Sequence, residues 1–288
     1  MKIYFYQLIK FSVCFFEGVE KLINVGIVGF GTIGVVVGRS LDEGIPGLRL
    51  VAVASGRKEK AMKAMEQFSN PVDVVSINEV AEQADIIVDC APKSVFREVA
   101  IATLTRGLKL VTVSGAGILA NPDIEGVAKK YGGQLILATG ALLGLDAVRA
   151  AAEGTINSVR MITRKPPNAL KDAPYIIENK ISLEGLNGAV CVFEGNAQAG
   201  AMAFPANVNV AAALGLAGVG AEETELEVWA DPHLDRNTHS IEVDSDSAKF
   251  SLRIENVQSE NNPGTGKITA LSVIACLRGM TAPLKVGS

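Results

Sequence analysis

One stretch limits what this 288-residue chain can fold into. Ile23-Asn24-Val25-Gly26-Ile27-Val28 is an apolar run that leads into Gly29-Phe30-Gly31-Thr32-Ile33-Gly34, and residues 35–41 beyond it are apolar enough for a buried helix. Strand, G-x-G-x-x-G and helix in that order form the fingerprint of a dinucleotide site, whereas the glycines alone would mark only a tight turn. Gly29 makes the turn, Gly31 lets backbone approach a pyrophosphate, and Gly34 lets the helix lie close on the strand. Thr32 and Ile33, between the last two glycines, complete the expected cofactor contacts. The helix points its first N–H groups and positive dipole end at the phosphates.

Beyond this unit, strands and helices alternate. Residues 48–54, 72–76, 86–90, 110–113 and 135–138 read as strands, and the segments at 58–68, 78–83, 95–105 and 122–131 as helices. Continuous Val/Ile/Leu strands separated by helices predict an α/β, doubly wound, Rossmann-type parallel sheet covered on both faces. Ligands on such a sheet sit beyond the carboxyl ends of its strands. Those ends carry the glycine loop, residues 55–58 (with Ser55 and Arg57), 90–93 (with Ala91), 114–117 and 139–144, which are expected to line one crevice.

From about residue 147 the texture changes. Residues 159–163, 189–197, 223–230, 239–244 and 249–256 read as strands, several with the partial alternation of a sheet with one wet face. One Ala-rich helix is expected at 209–216 and a last helix at 268–278. The predicted layout is an N-terminal extension (1–22), a dinucleotide-binding domain (23–146), an α+β substrate and oligomerisation domain with a mainly antiparallel sheet (147–265), and a C-terminal helix (266–288) packing back on the first domain.

The net charge of −4 repels polyanions, so nucleic acid is not an expected partner. Cys14, Cys90, Cys191 and Cys276 are widely spaced, which fits reduced thiols in a cytoplasm rather than a disulfide framework or zinc site. The longest apolar run, residues 208–221, is shorter than a membrane span needs and reads as a buried helix. The first 22 residues differ, with Tyr4, Phe5, Tyr6, Phe11, Phe15 and Phe16 close together. Lys10 interrupts their apolar stretch and no small-x-small cleavage site follows, so an extension ahead of the domain is preferred to a surface anchor or a cleaved signal.

An NAD-binding fold usually carries an acidic residue about 20 positions past the glycines. Here the second strand ends Val53-Ala54-Ser55-Gly56-Arg57-Lys58, without a carboxylate. A hydroxyl and two cations suit a ribose 2′-phosphate, so NADP is expected to bind at least as well as NAD. In the second half, the two histidines lie within Asp231-Pro232-His233-Leu234-Asp235-Arg236-Asn237-Thr238-His239. His239, at a turn-to-strand junction, is the candidate proton carrier, with a structural hydrogen-bonding role as the alternative. His233 is expected to be exposed, and a metal site is not expected. Thr163-Arg164-Lys165-Pro166-Pro167 sets two cations at a strand end, where either Arg164 or Lys165 could hold an acid's carboxylate. Asn207 and Asn209 lead into the Ala-rich helix and either cap it or present amides to a ligand. Asn237 joins Asn207 among the substrate-side candidates.

These motifs also carry a resemblance. Gly29–Gly34, Ser114-Gly115-Ala116, residues 140–146, 163–167, 204–211 and 230–232, Asn237-Thr238-His239-Ser240-Ile241 and Asn262-Pro263 fall in the order seen in the L-aspartate dehydrogenase family. The resemblance covers the chain after residue 22. It implies an NAD(P)-dependent homodimeric enzyme that interconverts L-aspartate and oxaloacetate plus ammonia through iminosuccinate, and that can feed NAD biosynthesis. It places His239 at the family's active-site histidine, and Ala116 and Asn209 at cofactor-contacting positions. The chain departs from the family in its N-terminal extension and at Gly117, where another residue often stands. Among rivals, dihydrodipicolinate reductases would show adjacent histidines, and sugar dehydrogenases a Glu-Lys-Pro tripeptide after the fifth strand. A non-catalytic NADP-binding sensor would need no imidazole in the crevice.

Overall fold

The structure is a computed structural model that describes residues 22–204, 209–259 and 262–287. The expectation for the N-terminal extension and the one for Asn207 fall outside the described residues.

The first part of the chain runs β1 (Ile23–Val28), α1 (Thr32–Gly44), β2 (Leu48–Ala54), α2 (Lys58–Met65), β3 (Asp73–Val75), α3 (Ile77–Gln83), β4 (Ile86–Asp89), α4 (Phe96–Leu104), β5 (Lys109–Thr112), α5 (Gly115–Leu119), α6 (Ile124–Tyr131) and β6 (Gln134–Leu137). Its sheet has the order β3-β2-β1-β4-β5-β6 with every neighbour parallel. The order reverses between β1 and β4, the place where such sheets open a crevice. Local signals set the helix ends. Ser76 and Glu79 make a reciprocal capping box at α3, and Gly132 closes α6 with φ 72°.

Both faces of this sheet are covered, which is why its strands are apolar throughout. Val25, Ile27, Val53, Val88 and Val111 pack with Val37 and Leu41 of α1 on one side. Ala52, Ala54, Ile87 and Leu110 pack with Val99 and Leu104 of α4 and Ile124 of α6 on the other. Fully burying one such aliphatic side chain contributes about 1.5–3 kcal/mol.

The chain continues through α7 (Leu145–Ala152), β7 (Ile156–Lys165), α8 (Pro174–Glu178), β8 (Val190–Asn196), α9 (Ala197–Ala203), α10 (Asn209–Ala217), β9 (Thr224–Ala230), β10 (Asn237–Ser245) and β11 (Lys249–Asn256). This second sheet has the order β11-β10-β7-β9-β8. β7 and β9 run parallel and the other neighbours antiparallel. One face buries Val159, Met161, Leu226, Val228 and Ile241 against Val148 of α7 and Leu214 of α10. The opposite face is polar, with Arg160 paired to Glu227. Short strands β12 (Gln258–Ser259) and β13 (Asn262–Gly266) then lead into α11 (Lys267–Thr281). Val273 and Leu277 of α11 sit in the core of the first sheet.

Two elements depart from the sequence reading. The boundary expected at 146/147 falls inside α7. The strand expected to run through residue 197 stops at Asn196, whose side chain accepts the Ala199 N–H at 2.8 Å and starts α9 instead.

The glycines of the first turn divide by what surrounds them. A Cβ on Gly34 would lie 2.1 Å from the Gly29 carbonyl oxygen, backbone against backbone, whereas one on Gly31 would meet nothing within 4 Å. Gly34→Ala is therefore expected to destabilise the protein by roughly 1–3 kcal/mol or more, read by thermal or urea unfolding. Gly31→Ala should leave the unfolding midpoint nearly unchanged; equal midpoints for the two variants would contradict this packing.

Candidate active site

The carboxyl ends of the first sheet face the second sheet across a cavity of about 130 Å³. Ile33 of α1, Val113 beyond β5 and residues 138–141 beyond β6 line it from the first part of the chain. Lys165, Asn209, Val210, Asn237, His239 and Asn256 line it from the second, and Thr265, Gly266 and Thr269 from the segment entering α11.

The period of two along a strand decides which side chains arrive there. Val159, Met161, Thr163 and Lys165 share one face of β7, and β10 pairs His239 with Thr163. Thr163 Oγ1 lies 3.1 Å from His239 Nδ1. His239 is 3% exposed and Lys165 likewise. Burial, helped by the Lys165 charge, pulls the imidazole down to about 3, so at neutral pH it is an uncharged ring. Burial also pulls the Lys165 ammonium down to about 8.

Arg164, the other cation considered for the substrate, points to the opposite face. Its guanidinium stacks on the Trp229 ring at 4.8 Å and lies 3.9 Å from the Asp231 carboxylate. Strand alternation thus corrects the choice left open between the two cations: only Lys165 reaches the cavity. His233 is exposed, with its ring against the Asn187 carbonyl. Among the described residues, no group of three His, Cys, Asp or Glu side chains is placed to share a metal ion.

The glycine loop fits a dinucleotide. Gly29 has φ 92°, and a Cβ there would strike the backbone of Cys90 and Ala91 at 2.4 Å. The space beside Gly31 stays open at the N-terminus of α1, which is where a pyrophosphate needs backbone to come close. Ser55 and Arg57 stand beyond β2, with the Arg57 N–H donated to Ser55 Oγ at 3.2 Å, and Arg57 is exposed. Neither they nor Ala91 lines the small cavity, so the expected crevice is longer than that cavity alone.

Ala116 and Asn209 meet directly. The Ala116 N–H donates to Asn209 Oδ1 at 3.1 Å, so this amide ties α5 to the start of α10 while Asn209 lines the cavity. Gly115 permits the approach, since a Cβ there would lie 2.9 Å from the Asn209 carbonyl oxygen. Gly117, the departure noted above, is required by Phe96, whose ring would be 2.7 Å from an added Cβ.

Two groups escaped the sequence reading. Asp89, at the end of β4, accepts the Ala91 N–H at 3.0 Å and the Thr112 hydroxyl at 2.8 Å, and Thr112 in turn accepts the Ser114 N–H at 2.9 Å. It clasps two of the loops that border the crevice, and burial raises its carboxyl to about 6. Asn256 closes the far side of the cavity. A carboxylate ending an apolar strand was the available signal for the first; only the cross-strand register reveals the second.

Comparison with known proteins agrees with this fold. A family model described as "Aspartate dehydrogenase, C-terminal" matches residues 146–280, and one described as "Homoserine dehydrogenase, NAD binding domain" matches residues 29–138. An L-aspartate dehydrogenase of Bradyrhizobium diazoefficiens is 48% identical over 266 residues, covering 92% of this chain and 94% of its own length. The chain belongs to the L-aspartate dehydrogenase family. The L-aspartate dehydrogenase 3 of Bordetella bronchiseptica is 45% identical, over 92% of this chain and 98% of that protein. The crystal structure of the Thermotoga maritima aspartate dehydrogenase shares the fold, with a TM-score of 0.70 and 22% identity over 92% of this chain and 99% of that one.

The buried imidazole gives this family member a pH signature. His239 binds its proton near pH 6.5 when unfolded but only near pH 3 when folded. Between those values the unfolded state holds more protons, so stability falls as pH drops through that window. Replacing His239 with Gln should remove part of that acid-limb loss in urea titrations at pH 7 and pH 4.5; identical limbs would show that the ring is not buried neutral.

Proposed function

We propose that this protein is an NAD(P)-dependent L-aspartate dehydrogenase, interconverting L-aspartate and oxaloacetate plus ammonia through iminosuccinate. The chain through β6 forms the dinucleotide-binding part, and the chain from α7 through β13 the substrate part. The observation that carries the reading is the uncharged His239 beside the Lys165 ammonium, in a cavity at the carboxyl edge of a dinucleotide-binding sheet.

Lys165 pairs with a substrate carboxylate, and the arriving anion favours its protonated form. In the tautomer whose Nδ1–H donates to Thr163 Oγ1, the ring nitrogen Nε2 of His239 is the acceptor that takes a proton from the substrate ammonium. That step leaves the amine whose lone pair supports loss of hydride from the α-carbon. The proton taken up by Nε2 passes on to solvent, and the ring, neutral again, takes a proton from water as it adds to the iminium carbon. It returns that proton to the amino nitrogen, which leaves as ammonia while the carbinol O–H gives its proton to the same Nε2 and the C=O forms. When bound, the nicotinamide supplies the two-electron step, taking or giving hydride at its C4. The open space beside Gly31 would let backbone hold the pyrophosphate, and Ser55 and Arg57 would hold a 2′-phosphate, which favours NADP.

The mixed sheet leaves a second surface open. Ile162 and Trp229 stand among charged side chains on its polar face, and we assign that face to pairing of two copies, testable by light scattering. No described helix is long and apolar enough to cross a membrane.

Activity is read as loss of absorbance at 340 nm with NADPH, ammonia and oxaloacetate; oxidation with other 2-oxo acids but not oxaloacetate would overturn the reading. His239→Ala should lower turnover by roughly 10²–10⁴-fold with cofactor affinity little changed. Arg57→Ala should raise the KM for NADPH by roughly 10–100-fold while that for NADH barely moves.

A further inference from the structure

Asn237 and Asn256 are partners across β10 and β11, so their side chains emerge on the same face as His239, and both line the cavity. Each is buried, at 4% and 3% exposure. Among the described residues, Asn237 Oδ1 and Asn256 Oδ1 are the buried side-chain oxygens without a hydrogen-bond partner. The orientation of the second is fixed, because its Nδ2 donates to the Ala141 carbonyl at 3.2 Å and a flipped amide would set oxygen against oxygen. Gly266 keeps the space beside it narrow, since a Cβ there would come within 3.2 Å of Asn256 Oδ1.

Buried acceptors left unpaired are costly, and two in one small cavity call for a ligand that brings donors. A carboxylate cannot serve, because it would set oxygen lone pairs against oxygen lone pairs. Lys165, on the same cavity wall, already provides for that anion. An ammonium or amine brings N–H donors in the required number.

We propose that Asn237 and Asn256 form the amino-nitrogen subsite, in which their two Oδ1 atoms and His239 Nε2 receive the three N–H donors of the substrate ammonium, or hold ammonia in the reverse direction. This rests on the aspartate dehydrogenase reading and adds to it the device that tells an amino acid from its hydroxy counterpart. A 2-hydroxy acid offers a single O–H and leaves at least one of the amide oxygens unpaired. A site built to pair a polar group discriminates strongly against an analogue that cannot pair with it.

The test uses the full chain and two readouts. First, steady-state kinetics of Asn256→Ala and Asn237→Ala are followed with ammonia, oxaloacetate and NADPH varied separately. The expected result is a KM for ammonia raised by roughly 10–100-fold, with the KM values for oxaloacetate and NADPH moving by less than about threefold. A raised KM for NADPH with that for ammonia unchanged would instead put the nicotinamide amide in this subsite and overturn the proposal. Second, should either variant fail to fold, calorimetry on the wild-type protein with NADPH, whose reduced nicotinamide cannot take a hydride, compares L-aspartate, (S)-malate and succinate. Aspartate binding at least about tenfold more tightly than malate supports the subsite, and equal binding overturns it. A wild-type protein silent on oxaloacetate plus ammonia removes the parent reading and the subsite with it. Activity with an unchanged ammonia KM in both variants removes the subsite alone.

Discussion

Inside one small cavity, two basic groups compete for the right to be charged. His239 and Lys165 lie diagonally across neighbouring strands on one face of the sheet, both almost wholly buried. Desolvation disfavours either cation, and the presence of one further disfavours the other. The ammonium starts from the higher affinity for protons, so it keeps its charge and the imidazole loses it. Burial and proximity together favour that division of labour. It leaves one group suited to fix an anion and the other suited to take a proton.

The scaffold that enforces this proximity is the pairing of β7 with β10. Because side chains alternate along each strand, setting Thr163 across from His239 also commits Lys165, Asn237 and, through β11, Asn256 to the same side. A slip of one residue in either pairing would carry the slipped strand's members to the polar face and split the set. The first sheet contributes differently. Its strand ends border the crevice largely as backbone, packed closely where Gly29, Gly34, Gly115 and Gly117 leave no room for a Cβ, and Asp89 locks neighbouring loops together.

Much of this was legible in the chain. Ile23–Gly34 read correctly as strand, turn and helix because glycine spacing and apolar runs are local signals. His239 stood out because few residues titrate near neutrality. The choice between Arg164 and Lys165 was not legible, since a strand read as ending at Thr163 says nothing about which face the next residues take. β7 in fact extends to Lys165. α9 was invisible for another reason: Ala-Gln-Ala-Gly-Ala-Met-Ala has no amphipathic stripe, and its start depends on a cap by Asn196 that competes with strand continuation. Asn256 could be found only in three dimensions, because an unpaired oxygen is a property of surroundings and not of sequence.

The last helix has a consequence for how the molecule is made. Val273 and Leu277 belong to the same packed cluster as Val25 and Ile27, and Ser272 Oγ receives the Gly140 N–H at 3.0 Å. The nucleotide-binding half, though translated first, therefore exposes part of its apolar surface until α11 has left the ribosome. Early collapse of the amino-terminal strands cannot be completed by those strands themselves, and a nascent chain stalled before α11 presents that uncovered surface to chaperones.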